Sequence, residues 1–401
     1  MNKNKVFNDP VYGFVSINYE IIYDLIQHPY FQRLRRISQL GMTQLTYPGA
    51  VHTRFHHALG ALHLMNLSIE VLRQKGQEIT DEEAEAASIA ILLHDIGHGP
   101  FSHALEGRLI GINHEEISLR ILQLLNIQFD GKLSMAIAIF QNQYEKSFLH
   151  QLISSQLDLD RLDYLNRDSF YTGVMEGKIG YDRIIKMLRV VNGQLAVEEK
   201  GLASIEKFLV ARKIMYWQVY LHKTVLSAEK MLIAGVERAS QLFLEGKEGL
   251  DIPEPLTRLF EMDWKDSTHQ TRILEAFVQL DDVDILILLK NSASCDDYIL
   301  STISQGLIER KLFRVELSDN PNLFKFENDL KAKIAIALDV SDDVAVGLVW
   351  SGEETLDIYN GKIDQIKIYQ KNGEVKNLAD IADFHFLNRE ISKYYLCYPR
   401  I

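Results

Sequence analysis

A chain of 401 residues with 47% hydrophobic composition can bury a large core, and its length alone suggests two or three domains. A net charge of −12 disfavours non-specific nucleic-acid binding as a main role, although a local basic patch can still meet phosphates. Cys295 and Cys397, the only cysteines, lie far apart without metal-type spacing, which argues against a disulfide framework and for a reducing compartment.

The N-terminal MNKNKVFNDP has no apolar signal core and no run approaches a membrane span, so the expectation is a cytoplasmic protein without a membrane partner. From about 15 to 275 the apolar residues recur at helical spacing, as in Ile21, Ile22, Leu25 and Ile26. Thr80-Asp81-Glu82-Glu83 predicts a capping box. The helix it opens, carrying Ala84, Ala87, Ile89, Ala90, Ile91, Leu92 and Leu93, is apolar nearly all round and belongs in an interior. His94-Asp95 fall at its end, where Gly97 is placed to stop it. Asn113-His114-Glu115-Glu116 predicts a second capped start, aiming His114 from a helix N-terminus. Residues 203–243 read as one or two long helices. Beyond about 280, after one more helix, LFRVEL, KIAIALDV, VAVGLVW and IDQIKIYQ read as β-structure, with Asn372-Gly373 a hairpin turn before EVKNL. The expectation is a mainly α protein, residues 1–275 a helical core and 276–401 a smaller α+β region, with no internal repeat.

The chemistry concentrates early. Eight of the thirteen histidines lie between His52 and His114. Any one alone reads as an ordinary core or surface residue, but an adjacent His-Asp ending an all-apolar helix is costly unless paired or metal-bound. His57, His94, Asp95 and Asp160 together offer imidazoles and carboxylates, a donor set for a borderline divalent metal (Mn, Fe, Zn, Ni or Co, with Mg admitted) rather than a thiolate zinc site.

These four residues resemble the H…HD…D signature of the HD-domain phosphohydrolases, a helical fold that binds one or two metals. The resemblance sharpens in five ordered segments: KVFNDPVYG (5–13), FQRLRRISQLG (31–41), YPGAVHTRFHHALG (47–60), HDIGHGPFSHALE (94–106) and DLDRLDYLNRD (158–168). Together they are similar to the deoxynucleoside triphosphate triphosphohydrolases, which include bacterial dNTPases and the human SAM- and HD-domain protein. The similarity spans roughly 5 to 230, with a fainter echo at LIERKLFR (307–314).

The resemblance implies dNTP hydrolysis, with water attacking the α-phosphorus to release a deoxynucleoside and intact tripolyphosphate. His114 matches the catalytic histidine, supported by His98, His103 and Glu106, the last standing where the human relative has Asp. Imidazole suits this role because it titrates near neutrality. Arg54, Arg161 and Arg212 match phosphate contacts, Arg161 replacing a Lys. Tyr164 and Asp168, at helical spacing from Asp160, match residues that pack on the sugar and bond its 3′-hydroxyl, with Gln39 opposite. Leu40 and Tyr220 match the pair that crowds the 2′ position and excludes ribose. Lys5, Asn8, Arg35, Lys223, Arg310 and Arg314 fall where an activating nucleotide binds between subunits of a homo-oligomer, tetrameric in the relatives. Gln27 and Leu221 depart from that pattern, which implies an activator of altered identity or none. The alternative is another HD-superfamily nucleotide phosphodiesterase or phosphohydrolase sharing the metal set. The cyclic-dinucleotide branch needs an HHE…GYP pattern, which Gly180-Tyr181-Asp182 does not supply.

Overall fold

The computed structural model describes residues 5–356, 365–381 and 391–401, with only the backbone of His103, Leu356 and Ile391. Four helices build its centre: α1 (Arg54–Gln74), α2 (Asp81–Leu93), α3 (His114–Gln128) and α4 (Leu159–Thr172). α2 begins in the predicted capping box: Glu83 N–H donates to the Thr80 hydroxyl at 3.2 Å, and Thr80 N–H donates to the Glu83 carboxylate at 2.9 Å. From Ala84 to Leu93 every residue but Glu85 is buried, as a helix without a polar face must be. α3 starts at the Asn113 cap, whose side chain accepts Glu116 N–H at 2.9 Å.

Gly97 works differently from the helix stop expected of it. Its φ is not among the positive ones, and an added Cβ would lie 2.3 Å from the His114 carbonyl. Its smallness lets the turn after α2 touch α3, with the Ser118 hydroxyl receiving Gly97 N–H at 2.9 Å and donating to the His94 carbonyl at 2.8 Å. Gly60 serves α1 and α4 in the same way, since a Cβ there would sit 2.0 Å from Asp163 Oδ1.

The N-terminal strands β1 (Lys5–Asp9) and β2 (Gly13–Ile17) pair antiparallel, a hairpin hidden in a stretch too short for a period. Asp9 closes its turn by accepting Val11 and Tyr12 N–H at 2.9 and 3.0 Å, and also receives Arg167 at 2.8 Å. Arg167, fully buried, holds Asp163 by two further bonds of 2.9 and 3.0 Å. Breaking a buried ion pair from one side strands the other charges. Arg167→Met is therefore expected to destabilise the fold by about 3–5 kcal/mol. Urea unfolding checks this, and an unchanged midpoint would contradict it.

Beyond α4, strands β3 (Leu188–Val191) and β4 (Gln194–Glu198) interrupt the helical pattern. Helices α5 (Leu202–Met215) and α6 (Lys223–Leu244) follow, separated by a wide turn at Tyr216–Tyr220 in which Leu221 N–H reaches back to the Tyr216 carbonyl at 2.8 Å. Such π-type turns recur at functional sites. Helix α7 (Asp282–Ser292) then braces the centre, because the Asp282 carboxylate accepts Ser38 N–H and Phe101 N–H, both at 2.8 Å.

In the C-terminal region LFRVEL leads into strand β5 (Arg314–Ser318), but KIAIALDV and VAVGLVW do not form strands over most of their length. They lie mainly in helices α8 (Glu327–Leu338) and α9 (Asp342–Gly347). Strand alternation would put Ile334 and Ile336 on one face, whereas Ile334 is 0% and Ile336 82% exposed. The apolar positions that matter are Leu330, Ile334 and Leu338, spaced at helical intervals. Strand β6 (Trp350–Leu356) and strand β9 (Ile391–Tyr398) pair antiparallel, and β9 also pairs with β5. Strands β7 (Lys367–Tyr369) and β8 (Val375–Asn377) form the hairpin expected around Asn372-Gly373, Gly373 taking φ 88°. The beginning of IDQIKIYQ lies outside the described residues. β7 joins β4 in parallel, so the small sheets are stitched to the helical body.

Candidate active site

Helix α1 contributes His57, the turn after α2 contributes His94 and Asp95, and the first turn of α4 contributes Asp160. His57 Nε2 lies 3.1 Å from Asp160 Oδ1 and 3.4 Å from His94 Nε2, and His94 Nε2 lies 3.5 Å from that oxygen. The two Asp95 oxygens come within 3.3 Å of His94 Nε2 and 3.6 Å of His57 Nε2. Ligands bound at about 2.1 Å sit roughly 3.0–3.4 Å apart around one ion, a spacing close to that of His57, His94 and Asp160, with Asp95 bordering both histidines.

The outer nitrogens are committed elsewhere. His57 Nδ1 bonds Asp163 at 2.7 Å and His94 Nδ1 bonds the Ile91 carbonyl at 2.6 Å, leaving both Nε2 atoms for the centre. Burial works against charging His57, yet its hydrogen bonds to the Asp160 and Asp163 carboxylates outweigh it and push its pKa up to about 10. Asp160 is also penalised by burial, but His57 and His94 hold it well below the carboxylate range. Carboxylates that stabilise a proton on these nitrogens also favour a cation among them.

Asp95 links this centre to the next residues. Arg54 bonds it at 2.5 Å, and His98 Nε2 lies 3.3 Å away. Asp95, His98 and His114 form a second set of three atoms close enough for an ion. His98 and His114 stack at 3.8 Å, and His98 also bonds Ser102. Glu106 reaches His114 from across the loop, accepting its Nδ1–H at 2.5 Å and its backbone N–H at 3.0 Å. Burial alone would lower the His114 pKa, but the Glu106 carboxylate reverses the sign and raises it. Conversely, burial disfavours the Glu106 anion, and the His114 bonds nevertheless draw it down to about 2. The His103 side chain lies outside the described residues.

Around this centre, cations sit buried with hydrogen-bonding capacity unused. Arg54 Nε and Nη2, Arg161 Nε, and Arg212 Nε and Nη1 are buried without a partner among the described residues, as is Gln39 Oε1. Arg161 pairs with Asp158 through Nη1, and Arg212 lies 5.9 Å from the Tyr216 ring. Tyr164 lies in the field of Arg212, Arg161, Asp160 and Tyr216, and burial raises its pKa. Buried guanidinium nitrogens without a partner are rare because each costs free energy, and an anionic ligand supplies what they lack. Tyr220 lies 6.5 Å from the Tyr164 ring and donates its hydroxyl to Asp168 at 2.7 Å. Leu40 is buried at the start of the turn Gly41–Leu45. Sequence reasoning missed Asp163 and Arg167, which fix His57; among the carboxylates of DLDRLDYLNRD nothing in the spacing separates an ion ligand from its support.

Residues 54–168 match the HD domain, and residues 179–269 match the HD associated region. The chain is 34% identical over 396 residues to the uncharacterised protein YwfO of Bacillus subtilis, covering 94% of this chain and 88% of that one. The chain belongs to the HD-domain phosphohydrolase family. Its fold is similar to the crystal structure of a phosphohydrolase from Bacteroides thetaiotaomicron, with TM-score 0.94 and 47% identity over 99% of this chain and 100% of that one. It is also 30% identical over 322 residues to the deoxynucleoside triphosphate triphosphohydrolase SAMHD1 of Gallus gallus, covering 67% of this chain and 52% of that longer one.

The remaining candidates of this HD-domain phosphohydrolase fall into two neighbourhoods. Lys5 and Arg35 lie over the Tyr23 and Phe55 rings at 2.8 and 3.6 Å, and Asn8 sits in β1 beside Phe7, whose ring packs on Phe55. Arg310 bonds the Leu45 carbonyl at 2.7 Å and lines a cavity with Thr224, the neighbour of Lys223. Arg314 is exposed at the start of β5. No helix among the described residues is long and apolar enough to cross a membrane.

Proposed function

We propose that this phosphohydrolase cleaves dNTPs to deoxynucleoside and tripolyphosphate. The observation that carries the reading is the set of buried, unpartnered nitrogens on Arg54, Arg161 and Arg212, close to the His/Asp centre and suited to a multiply charged anion. A triphosphate offers acceptor oxygens along its whole length for the free nitrogens of all three arginines. The same residues in a phosphodiesterase acting on a monophosphate would be over-supplied.

His57, His94, Asp95 and Asp160 would hold a divalent cation, which would supply Lewis-acid polarisation and water activation. Arg54, Arg161 and Arg212 fix the phosphate chain. Water adds to the α-phosphorus, the bond from that phosphorus to the 5′ oxygen breaks, and the 5′ oxygen must gain a proton. His114, whose protonated form the Glu106 carboxylate favours, is the donor, with His98 stacked against it. His103 is assigned to the same group. Gln39, Tyr164 and Asp168 receive the sugar, and Leu40 and Tyr220 crowd its 2′ side. Lys5, Asn8, Arg35, Lys223, Arg310 and Arg314 are assigned to an activating nucleotide between subunits of a homo-oligomer. Their division between two neighbourhoods of one chain suits a site completed by a second copy.

The substrate class is tested by offering each dNTP, each ribonucleotide, deoxynucleoside monophosphates and cyclic nucleotides, with Mn²⁺ or Mg²⁺ and with or without GTP. Turnover of dNTPs at least about 10²-fold above ribonucleotides is expected. Turnover confined to monophosphates or cyclic nucleotides would overturn the reading.

A further inference from the structure

His52 is a fully buried histidine that neither the metal centre nor the proton donor uses. Its neighbour Thr53 pairs with Ser38 in an isolated antiparallel bridge, and the His52 carbonyl accepts Gln39 N–H at 3.0 Å. Its ring stacks on Tyr171 at 4.5 Å. Its Nε2 lies 2.7 Å from Asp168 Oδ1, while Tyr220 donates to Asp168 Oδ2 at 2.7 Å. A carboxylate only accepts, so Nε2 carries the proton in this bond.

The contact fixes the carboxylate from both sides. Each Asp168 oxygen receives one donor, which sets the plane of the group and leaves further lone pairs for a ligand hydroxyl. His52 Nδ1 is buried without a partner among the described residues. A histidine kept only to fill space would pair both nitrogens or give way to an apolar ring. Here the ring is placed for what Nε2 does.

We propose that His52 is the positioning residue of a sugar subsite, holding Gln39 through its backbone and Asp168 through its side chain so that the carboxylate meets a 3′-hydroxyl. The inference rests on the assignment of Asp168 to the sugar. It makes recognition of the 3′-hydroxyl depend on a residue that does not touch substrate.

The test compares kcat/KM for a dNTP and its 3′-deoxy counterpart in the wild type, His52→Gln and His52→Met. Glutamine keeps an N–H donor at similar reach, and methionine keeps the volume without it. The wild type should prefer the dNTP by roughly tenfold or more, as expected for a hydrogen bond to a charged group. His52→Met should lose most of that preference while its activity on the 3′-deoxy substrate stays within about twofold, and His52→Gln should restore most of it. A structural role would lower both substrates together, and that result overturns the inference, as does an intact preference in His52→Met or no recovery in His52→Gln. Should the methionine chain fail to fold, His52→Phe keeps the stack on Tyr171 and carries the same comparison. A wild type indifferent to the 3′-hydroxyl would instead overturn the sugar assignment itself, and the inference with it.

Discussion

Replacing His94 and Asp95 together by alanine should leave protein that retains no divalent cation and shows no hydrolysis above background. His94 Nε2 lies within 3.5 Å of an atom on each of the other three residues and Asp95 within 3.6 Å of both histidines, so their loss removes half of the donor set. The double variant will also be less stable, because Arg54 loses the carboxylate that holds it at 2.5 Å in the interior. One-sided loss of such a pair costs about 3–5 kcal/mol. Metal content is therefore measured on the folded fraction, with His94→Ala, which spares that pair, as the control. Asp163→Asn separates support from ligation: it keeps all four ligands, weakens the grip on His57 Nδ1, and should lower metal affinity by about 10–100-fold. Hydrolysis persisting in metal-stripped double variant would contradict the mechanism.

The second large effect is expected at His114. His114→Ala should keep its metal and lose about 10²–10⁴-fold in kcat, the usual worth of a positioned acid. The pH profile gives the sign. The pKa of His114 is raised above 6.5, so the protonated acid persists to higher pH than in a free imidazole and is lost as pH rises through the folded value. Glu106→Gln removes the cause of that rise and leaves burial dominant, so the alkaline limb of kcat should move to lower pH. An unmoved limb would take His114 out of the acid role. The same pair contributes fully to stability between the unfolded carboxyl and imidazole values, 4.5 and 6.5. The contribution fades as pH falls toward about 2, where Glu106 protonates, and as pH rises through the raised His114 value.

The most readable parts of this chain are those in which local chemistry and tertiary role coincide. Thr80 and Glu83 cap α2 because their spacing satisfies two N–H groups wherever the helix lies. His57, His94 and Asp160 stand out because so many ligand-type side chains in one stretch have few structural uses, and the fold brings them within reach of one ion. Sequence reading failed where tertiary contact decides. The alternation of Ile334 and Ile336 suggests a strand until packing buries one and exposes the other. Gly97 resembles a helix stop, yet what requires its smallness is a carbonyl from another helix. Asp282 braces Ser38 and Phe101 from a helix far along the chain, which no local pattern announces. Asp163 and His52 act through other side chains, and such support carries no spacing of its own.

In the proposed reaction the ester bond between the α-phosphorus and the 5′ oxygen breaks, releasing all three phosphates together. Phosphorus NMR of a single dNTP incubated with metal-loaded protein, repeated with GTP present, tests it most directly. Intact tripolyphosphate with deoxynucleoside as its equimolar partner is the expected result. Pyrophosphate with deoxynucleoside monophosphate, or phosphate with the diphosphate, would place the break elsewhere and contradict the account.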